Sequence, residues 1–153
     1  MYEVKAPSEY VTYPRPWVFL CGSIEMGAAE NWQTRLVQML DDTRGTLLNP
    51  RRDDWDSSWE QSIDNPQFSE QVEWELRAQE MADLVVVYFD PATKSPITLL
   101  ELGLFQEKCV VCCPKGYWRK GNVDIVCYRY GAPTVATVEE LAAFVQSPRP
   151  RPW

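Results

Sequence analysis

Apolar positions in this chain fall into short continuous runs separated by segments where they recur every three or four residues. Trp17 to Cys21, Thr46 to Leu48, Ala82 to Phe89, Cys109 to Cys113 and Pro133 to Ala136 read as strands. The third run is so continuously β-branched and aromatic that it belongs buried on both faces of a parallel sheet. Between the strands, Ala29, Trp32, Leu36, Val37 and Leu40 fall near helical period, as do Phe68, Val72, Leu76 and Met81 within Pro66 to Met81. A further helix starts at Pro96 and ends near Glu107. A short one follows a loop over Tyr117 to Asp124 and runs toward Tyr128, and Thr137 caps a last one over Val138 to Val145. Strands alternating with helices predict a single-domain α/β sandwich of three layers, flavodoxin-like or Rossmann-like, around a five-stranded, mostly parallel sheet. Residues 17–146 make that domain. Residues 1–16, with Pro7, Pro14 and Pro16 among three tyrosines, read as an extended arm, and 147–153 as a flexible Pro- and Arg-rich tail.

In open α/β sheets ligands sit at the carboxyl ends of the strands. The central run ends at Phe89-Asp90, passes through a loop from Pro91 to Ser95, and enters the helix that carries Leu99-Leu100-Glu101-Leu102-Gly103. Glu101 is therefore a carboxylate in the first turns of a helix beside the expected cleft, where the helix dipole and local N–H donors favour its charged form. It is the candidate reacting group. The first strand ends in Gly22-Ser23, a turn able to present N–H groups and a hydroxyl to a sugar oxygen or phosphate, or simply a tight turn. Gly22 to Gly27 has the outer spacing of a P-loop without the Lys-Ser/Thr, and GxGxxG is absent, which disfavours ATP hydrolysis and dinucleotide binding. The long segment from Arg51-Arg52-Asp53-Asp54-Trp55 to Pro66 has no helical period. Its planar Trp and Arg groups suit a flat aromatic base, and a solvated loop with Trp folded inward is the plainer alternative. On the helix before the central strand, Glu75 is positioned to turn toward the cleft, although periodicity does not choose it over Glu73.

Composition narrows the chemistry. The chain has no histidine, which removes Ser-His-Asp and Cys-His nucleophiles, HExxH metalloproteases and His-liganded zinc deaminases. A net charge of −7 argues against a nucleic-acid polymer as partner. No apolar run spans a bilayer and the N-terminus lacks a signal-peptide plan, so no membrane partner and a cytoplasmic location are expected. The five cysteines sit in or beside strands and read as buried thiols; Cys109-Val-Val-Cys112 lacks the helix N-terminus that a thioredoxin-type site requires. Two carboxylates in an apolar cleft, with no metal cluster and no cofactor motif, point to glycosyl transfer.

Gly22-Ser23-Ile24, Asn49-Pro50-Arg51-Arg52, Gln71-Val72-Glu73-Trp74-Glu75, Ala82-Asp83, Leu100-Glu101-Leu102-Gly103 and Gly121-Asn122-Val123 occur in that order. Over roughly residues 17–145 the chain resembles the nucleoside 2-deoxyribosyltransferase superfamily, especially its transferase-like branch. The resemblance implies a nucleotide-salvage enzyme that needs no cofactor. Glu101 would be the nucleophile that forms a 2-deoxyribosyl ester, and Glu75, where the family usually has Asp, would contact the base and move its proton. The implied substrate-binding set is Gly22, Ser23, Asn49, Arg51, Arg52, Asp53, Trp55, Asp90, Ser95 and Asn122. Ser95 would face the 5' oxygen or 5'-phosphate, and Arg51-Arg52 would wall the base. Asn122 would reach a neighbouring site in a homo-oligomer. Phe19 departs from the family Tyr that hydrogen-bonds the nucleophile, so another donor is required. The implied partners are a nucleoside or nucleotide and a free nucleobase. The expected activity is base exchange on 2'-deoxyribonucleosides; the alternatives are hydrolysis of 2'-deoxynucleoside 5'-monophosphates and a nucleotide-binding sensor that has lost turnover.

Overall fold

The computed structural model describes residues 1–24 and 31–147. One sheet of six parallel strands has the order β1-β3-β2-β4-β5-β6. Its strands are β1 (Tyr2–Lys5), β2 (Trp17–Gly22), β3 (Thr46–Asn49), β4 (Leu84–Tyr88), β5 (Cys109–Cys112) and β6 (Thr134–Val135). The sheet thus has one strand more than the five expected. The addition is β1, within the segment read as an arm, paired with β3 from Tyr2 opposite Thr46 to Lys5 opposite Asn49. Four residues with only Val4 turned fully inward carry too little alternation to register as a strand. Without β1 the order is flavodoxin-like, and the direction of strand addition reverses between β2 and β4.

The helices are α1 (Trp32–Met39), α2 (Pro66–Met81), α3 (Pro96–Phe105), α4 (Lys120–Tyr130) and α5 (Val138–Gln146). Side chains alternate across the pleat, so the two faces of each strand enter different cores. Val18, Leu20, Val86, Tyr88, Val110 and Cys112 meet Trp32 and Leu36 of α1 and Val138 and Leu141 of α5. Phe19, Cys21, Val85, Val87 and Val111 meet Trp74 and Ala78 of α2, Leu102 of α3 and Val123 and Cys127 of α4. Every residue of β4 is buried, as its composition requires. Thr137 accepts from the Glu140 N–H and caps α5. All five cysteines are free and buried. No described helix is long and apolar enough to cross a membrane.

Helix α2 is turned differently from its apolar pattern. Its buried positions are Gln71, Trp74, Ala78 and Gln79. Phe68, Val72 and Leu76 are only partly buried, and Met81 is 40% exposed. The stripe against the sheet lies one residue before the apolar one, a rotation of about 100°. A rule that seeks apolar periodicity cannot find a face whose inner positions are a Trp and an Ala flanked by two glutamines.

Candidate functional site

The strand-order reversal opens the C-terminal edge of β2 and β4, and the chain lays polar side chains from three elements there. Glu101 is the sixth residue of α3, too far along for the first-turn N–H groups to hold it, and that helix has no acidic residue in its first turn. The expectation that the dipole and local donors favour its charge is therefore corrected. Side chains do this instead. Gln79 Nε2 donates to Glu101 Oε1 at 2.6 Å, and Cys21 Sγ donates to Oε2 at 3.1 Å. Burial pushes the Glu101 pKa up, and these two hydrogen bonds pull it back.

Glu75 lies one turn before Gln79 on the same face of α2. Gln71, one turn earlier again, donates through Nε2 both to the Pro50 carbonyl and to Glu75 Oε1, each at 2.7 Å. Burial, then the neighbouring charge of Glu101, raise the Glu75 pKa to about 8, against one opposing hydrogen bond from Gln71. Glu75 thus holds its proton at neutral pH beside a carboxylate with twice the donors. The two environments thus treat two chemically identical groups differently, one with a donor on each oxygen and one with a single donor. Cys21 is no nucleophile: burial and the Glu101 charge push its thiol pKa well up.

Next to this pair, the hydroxyls of Ser23, Thr93 and Ser95 form a buried triangle. Thr93 Oγ1 lies 2.8 Å from Ser23 Oγ and 2.7 Å from Ser95 Oγ. Ser23 Oγ also accepts from the Asp90 N–H, while the Asp90 carboxylate accepts from the Ala92 N–H. Ser95 enters α3 with φ +47°, a left-handed conformation that costs a non-glycine residue about 1–2 kcal/mol. Tyr117 Oη and Trp118 Nε1 both donate to the adjoining Lys94 carbonyl and hold the loop in place. Gly22 is required by close approach, since a Cβ there would lie 2.5 Å from the Tyr88 carbonyl oxygen and 2.8 Å from the Trp32 ring. The part of the Gly22–Gly27 turn beyond Ile24 lies outside the described residues.

The loop from β3 to α2 joins the site at one point and leaves it elsewhere. Gln71 ties the Pro50 carbonyl to Glu75, which brings the chain at Arg51 alongside. Arg51 Nη1 is buried without a hydrogen-bond partner among the described residues. Asn49 is engaged structurally, donating to Glu3 and accepting from the Arg51 N–H. Arg52 pairs with Asp54 and Glu70 and lies over the Trp59 ring at 5.2 Å. Asp53 is exposed and paired with Lys5. Trp55 packs edge-on against Trp59. Asn122, expected in a loop, is exposed in the first turn of α4, where Lys120 and Asp124 pair at 2.8 Å.

Cys21, Gln71, Gln79 and Thr93 were not among the expected site residues. The signal for the glutamines was present as polar residues at 71, 75 and 79, an i, i+4, i+8 ladder that lies on one side of a helix. For Cys21 there was none, because a thiol in a strand reads as core. Among the described residues no three His, Cys, Asp or Glu are grouped to hold a metal ion.

No curated protein sequence matches the chain. A family model described as nucleoside 2-deoxyribosyltransferase like matches residues 15–117, the span from the approach to β2 through Glu75, Glu101 and the Tyr117 clamp. That family points to a glycosyl-transfer or glycosidase-type enzyme, in keeping with two half-buried carboxylates that differ in their hydrogen-bond donors at the switch point. The chain belongs to the nucleoside 2-deoxyribosyltransferase-like family.

Proposed function

We propose that the protein breaks the N-glycosidic bond of 2'-deoxyribonucleosides and passes the sugar to a second nucleobase. The observation that carries this reading is the unequal pair: Glu101 with a donor on each oxygen, Glu75 with one donor and a pKa near 8. In the first step a Glu101 oxygen bonds to C1' as the C1'–N bond breaks, and the Glu75 proton passes to the departing base. In the second step a nitrogen of the incoming base bonds to C1', its proton returns to Glu75, and Glu101 leaves as carboxylate. Arg51, next in the chain after the Pro50 carbonyl that Gln71 holds, is suited to the base side. The donors on Glu101 also weaken the sensor alternative, since Phe19 no longer leaves the carboxylate unsupported.

Hydrolysis of 5'-monophosphates is the second reading. Three hydroxyls gathered ahead of the α3 N-terminus favour an anion there; the adjacent Asp90 carboxylate counts against it. Product analysis separates the readings. A deoxynucleoside incubated with a second free base should yield the exchanged nucleoside by chromatography. Free deoxyribose, or its phosphate from a monophosphate, identifies a hydrolase. Nucleoside binding by calorimetry without base release identifies a sensor.

We also infer that two copies of the chain associate through α3 and α4. Ile97, Leu100 and Leu104, spaced along α3, are 60%, 60% and 54% exposed. Ile125 and Tyr128 follow Asn122 at three-residue steps on α4 and are exposed too. A Cβ at Gly103 would meet nothing within 4 Å, so this helix glycine leaves room that the single chain does not use. Leu100→Glu is expected to shift sedimentation from dimer to monomer. A wild-type chain that sediments as a monomer at micromolar concentration removes the inference.

A further inference from the structure

Glu101 has its hydrogen bonds supplied from outside its own helix. Phe19, where the family resemblance calls for a donor, packs on Trp74 with ring centroids 6.4 Å apart. Cys21 stands two residues further along β2, on the same face and closer to the C-terminal edge, and its Sγ reaches Glu101 Oε2. The thiol is buried and keeps its proton at neutral pH, so toward a carboxylate it acts as a donor. On the other oxygen, Gln79 is fully buried, and its amide must present nitrogen, because the reverse orientation would set oxygen against oxygen. The Gln71 amide is oriented independently of the acid: the Pro50 carbonyl accepts only from nitrogen, and the same nitrogen meets Glu75 Oε1.

We propose that Cys21 and Gln79 are positioning residues for Glu101, a thiol and an amide that hold one carboxylate oxygen each and so fix its rotation and favour its charged form, while Gln71 holds Glu75 by Oε1 alone and leaves the proton on Oε2. This rests on the reading of Glu101 as the reacting group. With its rotation fixed, the carboxylate presents its remaining lone pairs in one direction, and attack on C1' needs no reorganisation. The proton on Glu75 Oε2 lies on the oxygen that Gln71 does not occupy, where a leaving base can take it. The titratable groups facing the pair from the packed elements are Cys21 on β2, Cys109 at the start of β5, and each other. Among the described residues no Lys or Arg acts on either carboxylate strongly enough to shift it.

The test reads protonation directly, without turnover. Carboxyl-¹³C glutamate labelling and NMR titration follow Glu75 and Glu101 in the unmodified chain, in Cys21→Ala and in Cys21→Ser. In the unmodified chain Glu101 should titrate below Glu75. Cys21→Ala should raise the Glu101 midpoint by about one pH unit and narrow the gap, and Cys21→Ser, which keeps an O–H donor, should restore at least half of it. Where base release is measurable, the acid limb of kcat should move by the same amount with KM nearly unchanged. A merely structural Cys21 would lower thermal stability and leave both midpoints in place. The proposal is overturned if Glu101 titrates at or above Glu75 in the unmodified chain, if folded Cys21→Ala titrates like wild type, or if Cys21→Ser matches Cys21→Ala. A chain that releases no base yet shows the gap, closing in Cys21→Ala, keeps the clamp and loses the proposed reaction.

Discussion

Glu101→Ala is expected to cut base release from a deoxynucleoside by at least about 10³-fold, because it removes the carboxylate that Cys21 and Gln79 each hold by one oxygen and that the proposed first step bonds to C1'. The fold should survive. Truncation leaves Gln79 Nε2 and the Cys21 thiol without their acceptor, about 1–3 kcal/mol for each unsatisfied buried donor. It also removes a carboxylate whose burial already disfavours its charge. The two effects oppose, so circular dichroism should be unchanged and the thermal midpoint should move by only a few degrees. Glu101→Gln retains an acceptor for one donor and should fold at least as well while equally inactive. Acid-quenched wild-type reactions should show a deoxyribosyl mass increment on the peptide carrying Glu101, absent from both variants. Near-normal release by Glu101→Ala, or the increment on a different carboxylate, removes Glu101 from the chemistry.

The central layer of this protein was readable because its strands are uniform in character. A run such as Leu84–Tyr88 has one stable place, between two helical layers, and it fixes the loop that follows it at the ligand edge. Glu101 was singled out by that placement and not by any property of glutamate. What stayed hidden shares one cause: the residue's environment comes from chain distant in sequence. Glu101 depends on Cys21, 80 residues before it, and on Gln79, 22 before it. Asn49 and Asp53, expected at the ligand, hold β1 through Glu3 and Lys5, a strand that its own four residues do not announce. Asn122 belongs to α4 because the turn at Tyr117 closes on the Lys120 N–H and starts the helix early. Helix α2 shows the same limit on one element. Its apolar stripe and its buried stripe differ because the inner face carries Gln71 and Gln79, which reach Glu75 and Glu101, where a core would be apolar.

Glu75→Gln is expected to slow release of both purines and pyrimidines by about 10²-fold, the loss typical of a general acid, and to make the protein more stable at neutral pH. The two effects have one origin. A carboxyl whose pKa rises from 4.5 unfolded to about 8 folded takes up a proton on folding between those values. In that window the native state binds more protons, so stability falls as pH rises. Below pH 4.5 the group is protonated in both states and costs nothing; above about 8 the full penalty of a desolvated charge beside Glu101 is present. The uncharged Gln side chain carries no such penalty, and the difference should grow from pH 5 to pH 8, reaching a few kcal/mol. Denaturant melts of both proteins across that range measure it. Wild-type kcat should decline above about pH 8 as Glu75 loses its proton, and the residual rate of Glu75→Gln should show no such limb. A variant with wild-type rate, or one whose stability gain does not depend on pH, would return Glu75 to the role of an ordinary buried acid. A variant that is slower, more stable and flat above pH 8 ties the cost of burying this carboxyl to the proton it holds.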